Sequence, residues 1–248
     1  MTRRLRILGI LAAAAVGLPP AHAHAGSFSI SPLRVEFSAR AQTATLTLRN
    51  QEDVPVVVQA EGTLWEQADG EDLLTPTQDV LVSPAVFTVP GNGSQLVRVA
   101  LRRAPDAGRE LSYRLILTEV PQQAAPDFNG LKLALRLSLP IFVAPGAAAA
   151  PQLDWSARRN ADGAIALAAR NSGNAHARVL SFAVAPADGS GTPIAQNVSA
   201  YVLPGQGRTW TLQNNQNGAT SSSEWRRLQV KGTAESGAFE VEVPIGER

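Results

Sequence analysis

Side chains able to carry acid–base, nucleophilic or metal chemistry are few in this sequence and poorly spaced for it. Of three histidines, His22 and His24 lie in the first 25 residues, and only His176 lies further on. One internal histidine cannot supply the clustered ligands of a zinc site, and no group of carboxylates makes up the shortfall. Cysteine is absent, which removes thiol catalysis, thiolate metal sites and disulfides together. Serine is plentiful, but no Gly-x-Ser-x-Gly elbow occurs. A Ser-His-Asp relay would rest on His176 alone, in the loop-like run Asn171-Ser172-Gly173-Asn174-Ala175-His176 that reads as surface. The acidic pairs Glu52-Asp53 and Glu71-Asp72 sit in turn-like segments and read as solvated loop charges. Phosphate-cradling Gly-x-x-x-x-Gly-Lys and dinucleotide fingerprints are missing. The expectation is a binding protein with no enzymatic activity, cofactor or metal.

The element that could bind is residues 131–143, Leu-Lys-Leu-Ala-Leu-Arg-Leu-Ser-Leu-Pro-Ile-Phe-Val. Leu131, Leu133, Leu135, Leu137, Leu139 and Ile141 recur every second residue, a strand period that sets all six on one side. Lys132, Arg136 and Ser138 fall on the other. So apolar a face needs a partner sheet, or a partner protein, to cover it.

The frame around that strand is also β. Thr43–Arg49 alternates, Val54–Gln59 is β-branched and interrupted by Pro55, and 86–89, 95–101 and 113–120 follow across turns at 90–93 and 105–108. Beyond the Pro- and Ala-rich stretch 144–151, further short strands are expected at 164–170, 180–185, 199–203, 208–212, 227–232 and 238–243. No convincing long helix is visible. The N-terminus reads as a secretory signal: Arg3, Arg4 and Arg6, an apolar stretch from Ile7 to Leu18, and Ala-x-Ala sites ending at Ala23 and Ala25. The expected organisation is a signal peptide over 1–25, sandwich domains over 26–144 and 152–248, and a linker over 145–151. The apolar stretch is too short for a membrane span. Cleavage after Ala25 leaves 19 basic against 21 acidic residues, too balanced for a nucleic-acid binder.

Four segments, in order, resemble the PapD-like periplasmic chaperones of chaperone–usher pilus assembly. Ile30-Ser-Pro-Leu-Arg34-Val-Glu-Phe37 is similar to that family's first strand with its arginine, and Ser112–Pro121 to the strand ending Glu-Val-Pro. The run 131–143 and Tyr201-Val-Leu-Pro-Gly205 with Arg208-Thr-Trp210 complete the set. The resemblance implies an all-β protein of two immunoglobulin-like sandwiches in a boomerang. It implies that Leu131, Leu133, Leu135 and Leu137 enter the groove of a pilus subunit that lacks a strand, with 122–130 a mobile loop that orders as the strand extends. Arg34 would hold the subunit's C-terminal carboxylate. The lysine that completes this clamp in the best-known members falls at Pro140, and their inter-domain basic residue at Ala144. Leu-Pro-Ile-Phe-Val instead looks like the archaic, spore-coat-U and Csu-type branch. The second cation stays open among Arg98, Arg114, Lys132 and Arg136. Without the family's ion pair, the domain interface is expected to be mainly apolar and weakly salt-dependent.

The implied partners are pilus subunits of the spore-coat-U type and an outer-membrane usher, met in the periplasm, with no nucleic acid and no stable membrane insertion. A bare apolar edge also favours self-association into a capping homo-oligomer. Two other readings stand beside this one. A pilus subunit or adhesin would be exported and all-β, but 26–30 is too brief for its donor extension. A carbohydrate-binding module would favour exposed aromatics, whereas aromatics are 5% of the chain and Trp65, Trp155, Trp210 and Trp225 are scattered along it.

Overall fold

A computed structural model describes residues 28–68, 70–121, 133–212 and 225–246. The expected signal peptide, the loop 122–130, Leu131 and Lys132 lie outside them. The described residues form strands and turns with no helix.

The first ten strands build one sandwich. Its smaller sheet has the order β1 (Phe28–Ser31), β3 (Thr43–Asn50), β8 (Ser94–Leu101), β6 (Val80–Ser83). Its larger sheet runs β2 (Val35–Phe37), β10 (Arg136–Val143), β9 (Leu111–Val120), β4 (Val56–Ala68), β5 (Glu71–Pro76), and β7 (Val86–Val89) also pairs with β4. Alternation drives both sheets. Leu46, Leu48, Val97, Val99, Leu115, Leu117, Leu139 and Ile141 point inward at every second position and form one core. The next seven strands make a second core around Val179, Phe182, Val184, Leu167, Leu228 and Val230. They are β11 (Leu153–Arg159), β12 (Ile165–Asn171), β13 (Ala177–Pro186), β14 (Ile194–Val202), β15 (Gly207–Leu212), β16 (Arg227–Ala234) and β17 (Gly237–Gly246), in the sheet order β14-β13-β16-β17-β11-β12-β15.

Several elements depart from the sequence reading. Proline cannot donate to a ladder, so β4 starts after Pro55, but it runs on to Ala68, with burial passing from Val58 and Ala60 on the core face to Trp65 and Gln67 on the face that meets the second sandwich. β5, β6 and β11 were not foreseen. The segment Ile30–Phe37 is two strands, not one: β1 pairs with β3, whereas β2 pairs in parallel with β10 in the other sheet. Arg34 sits in the bend between them. The long strand expected from 131 onward is laddered only from Arg136, so Leu133 precedes it and is 65% exposed.

Candidate functional site

Splitting the first strand between sheets leaves part of β10 bare. β2 covers only Ile141, Phe142 and Val143. On its other side β10 pairs with β9 along its whole length, from Arg136 opposite Thr118 to Val143 opposite Leu111. Among the described residues, no strand pairs with 136–140 on the β2 side, which leaves a free sheet edge.

The direction of the backbone groups follows from two hydrogen bonds. The Leu135 carbonyl accepts from Glu119 N–H at 2.8 Å, on the β9 side. Ala144 N–H donates to the Phe37 carbonyl at 2.9 Å, on the β2 side. Within a strand the N–H and C=O of one residue point the same way and alternate along the chain. The odd-numbered residues thus bond to β9, while Arg136, Ser138 and Pro140 face the open edge. Pro140 is tolerated inside the strand for this reason, since its missing N–H falls on the side with no partner.

The leucines share one face, as the period requires. Leu139 is buried in the first core, Leu137 and Leu135 are half-buried, and Leu133 is exposed. Leu137 packs on the core of its own domain, so the exposed apolar surface is concentrated at the N-terminal end of the strand.

On the opposite face of the larger sheet, side chains meet the second sandwich. Trp65, Phe142 and Leu203 are buried together, with Tyr201 against them. The Trp65 and Tyr201 rings meet edge-on at 5.5 Å. Gln67, 3% exposed, donates to the Tyr201 carbonyl and accepts from Leu203 N–H, both at 3.0 Å. His176 is not a loose surface residue. Its ring stacks on Phe142 with centroids 3.6 Å apart, and its Nδ1 lies 2.9 Å from both oxygens of the buried Glu110. The scattered tryptophans fall into two groups: Trp65 joins the inter-domain cluster, while Trp155 stacks on Trp210 and Phe239 in the second domain.

The interface is also charged, which corrects the expectation of mainly apolar contacts. Arg34 bridges the domains, with Nη1 2.6 Å from Glu235 and Nη2 2.8 Å from Glu36. The hydrogen bond to Glu235 raises the Arg34 pKa above its ordinary value, and the same bond holds the Glu235 carboxyl below the usual range. Asp72 receives Arg208 of the second domain at 2.7 Å and faces Arg114 at 3.9 Å. The Arg114 guanidinium lies 3.6 Å above the Trp65 ring, and burial lowers its pKa from the usual arginine value.

The proposed cations separate cleanly. Arg98 is on β8, an exposed position in the other sheet. Arg136 shares the face of Arg114 but lies four residues along the strand from Pro140, roughly 13 Å at strand rise. Arg114 is directly opposite Pro140. Arg34 immediately precedes Val35, which pairs with Ile141, so the backward continuation of that register leads to the other flank of Pro140. Two arginines thus flank the position that sequence comparison had left without a cation. Arg34, Glu36 and Phe142 were accessible to sequence reasoning. Gln67, Asp72, Glu110 and Glu235 were not, because their partners in the second domain or, for Glu235, in the first are more than 60 residues away and nothing in their local spacing marks them.

The fold is shared with known proteins. Residues 27–149 match the family described as pili and flagellar-assembly chaperone, PapD N-terminal domain. No curated protein matches by sequence. Among solved structures, the chain is similar to the Csu chaperone–tip adhesion subunit pre-assembly complex from archaic chaperone–usher pili of Acinetobacter baumannii. That match has 20% identity and a TM-score of 0.67, covering 89% of this chain and 100% of that one. The Escherichia coli chaperone DraB matches at 20% identity and TM-score 0.58, over 88% and 97% of the two chains. The Salmonella enterica SafB chaperone, solved with the SafA pilin, gives 19% and 0.58 over 88% and 97%.

Proposed function

Because the chain belongs, through its first domain, to the pili and flagellar-assembly chaperones, we propose that it is a periplasmic chaperone that folds and caps pilus subunits by lending them a strand and delivers them to an outer-membrane usher. The observation that carries this reading is the bare edge of β10 between Arg136 and Pro140, with outward-facing backbone groups and the exposed Leu133 beside it. Main-chain pairing along such an edge supplies affinity, and alternate side chains seat the partner. Burial of one leucine contributes ~1.5–3 kcal/mol before ordering costs, so a few together can hold an incomplete fold. Leu131, Leu133, Leu135 and Leu137 are assigned to subunit binding on this basis.

Arg34 is assigned as anchor of the subunit's C-terminal carboxylate, and Arg114 as the second cation. A carboxylate arriving between them exchanges with Glu235 at Arg34, as one charge-assisted hydrogen bond for another. Clients of the spore-coat-U type, as in the archaic branch, are supported by the Leu-Pro-Ile-Phe-Val ending of β10 and by the likeness to the Csu complex. The reading involves no chemistry on the client and no cofactor.

Replacement of Leu133 and Leu135 together by Glu tests the proposal. The expected result is a folded protein, because neither side chain is buried, that no longer yields stable complexes when co-expressed with a spore-coat-U-type subunit. An unfolded double variant, or one that captures the subunit as wild type does, would overturn it.

A further inference from the structure

The last rung between β9 and β10 is closed by a side chain. Glu119 and Leu135 would form the next hydrogen-bonded pair of the ladder, one step beyond Thr118 and Arg136. Half of that pair is regular, since Glu119 N–H donates to the Leu135 carbonyl at 2.8 Å. An unbroken ladder would return Leu135 N–H to the Glu119 backbone carbonyl. Instead the Glu119 carboxylate takes it, Oε2 lying 3.1 Å from the Leu135 nitrogen. The regular ladder begins at Arg136, one residue later. Glu119 also sits at the end of the first sandwich, at the rim of a small gap between Phe28, Leu48, Val58 and Leu137.

We infer that Glu119 is a positioning residue: its carboxylate fixes where β10 leaves its own sheet, and so sets how many leucines stay on the core and how many are offered outward. A charge-assisted bond of this kind holds Leu135 beside β9 while allowing the residues before it to diverge. With Leu135 pinned, Leu137 packs on the core and Leu133 is exposed. Without the latch, the choice between them is free, because a strand whose end is unpaired can fray by whole rungs. This inference rests on the strand-lending reading for its consequence but not for its first measurement.

Amide hydrogen exchange on the whole chain, followed by NMR, is that measurement. In Glu119→Ala the Leu135 amide should exchange at least about tenfold faster, the factor expected from losing one hydrogen bond to a charged acceptor. Leu137 and Leu139, bonded to β9 through the backbone, should exchange as in wild type. Glu119→Gln keeps an acceptor at the same reach and should restore most of the protection at Leu135. Unchanged exchange in Glu119→Ala, equal acceleration in the Ala and Gln variants, or equal acceleration at Leu137 and Leu139 would each overturn the inference. If Glu119→Ala does not fold, Glu119→Asp, shorter by one methylene, is measured in its place with the same criteria. Capture of a co-expressed spore-coat-U-type subunit should then fall roughly tenfold in the Ala variant and recover in the Gln variant. Altered exchange with unaltered capture would overturn the control of leucine presentation, whereas loss of capture in neither this variant nor the Leu133/Leu135 double variant would count against the chaperone reading itself.

Discussion

Arg34 and Arg114 flank Pro140 and share a sign but differ in what surrounds them. The Arg34 side chain is 32% exposed and answers two carboxylates, themselves exposed. Pairs of this kind contribute ~0–1 kcal/mol each. Arg34→Ala should therefore shift the melting temperature little while lowering subunit capture. The Arg114 side chain is 14% exposed and lies flat on Trp65. Its cation–π contact is worth up to about 2 kcal/mol when desolvated. Arg114→Ala should lower both stability and capture, and Arg114→Lys should fail to restore stability, because an ammonium lacks the planar surface that covers the ring. Amidating the C-terminus of a client peptide is the discriminating measurement by calorimetry. It should weaken binding to wild type and have little further effect on either alanine variant; equal weakening in all three would show that the carboxylate is bound elsewhere.

At the scale of elements, Pro140 provides a sharp test of strand direction. With its nitrogen facing the open edge, Pro140→Ala restores a donor that has no partner in the free protein, so no ladder bond is gained. Urea denaturation should show a change within about 1.5 kcal/mol, set by the lost ring contacts. The neighbouring Leu139→Pro deletes an N–H that bonds to β9 and should cost at least ~3 kcal/mol beyond the lost packing. Equal costs would mean that the alternation is reversed. The sequence carried much of this element: its period placed the leucines on one face, and Pro140 marked an edge. What it could not carry was where the ladder starts. Leu131 to Leu139 alternate without interruption, and only the meeting of Leu135 with Glu119, sixteen residues away, ends the pairing there. The split of Ile30–Phe37 was equally hidden, because both halves alternate and the choice of sheet is made by β3 and β10. β11 was legible in principle, since Leu153, Trp155 and Ala157 alternate with Asp154, Ser156 and Arg158.

The whole molecule is two cores joined by a contact that combines a buried aromatic cluster with exposed ion pairs, and the two parts respond to different conditions. The cluster of Trp65, Phe142 and Leu203, with Tyr201 against it, is held by buried apolar contacts, on which salt has little purchase. The bridge from Arg34 to Glu235 is not. Glu235 has its pKa lowered in the folded protein, chiefly by the hydrogen bond from Arg34, with further contributions from His176 and Arg178. A carboxyl whose folded pKa lies below its unfolded value contributes stability that is fully present above the unfolded pKa. That contribution is lost as pH falls through the folded value. The bridge should therefore be intact at neutral pH and fail only as pH falls below the ordinary glutamate range. Its loss should relax the angle between domains without melting either core, because Trp65 and Gln67 still join them. Small-angle scattering between pH 7 and pH 3 should show a modest rise in radius of gyration with the near-ultraviolet dichroism of both cores retained. Glu235→Gln should show the relaxed dimension already at pH 7 and a smaller change on acidification. A wild-type dimension that is flat down to pH 3, or a variant indistinguishable from wild type throughout, would mean that contacts other than the Arg34–Glu235 bridge set the angle and that Arg34 is free to receive a client without any cost to the shape of the molecule.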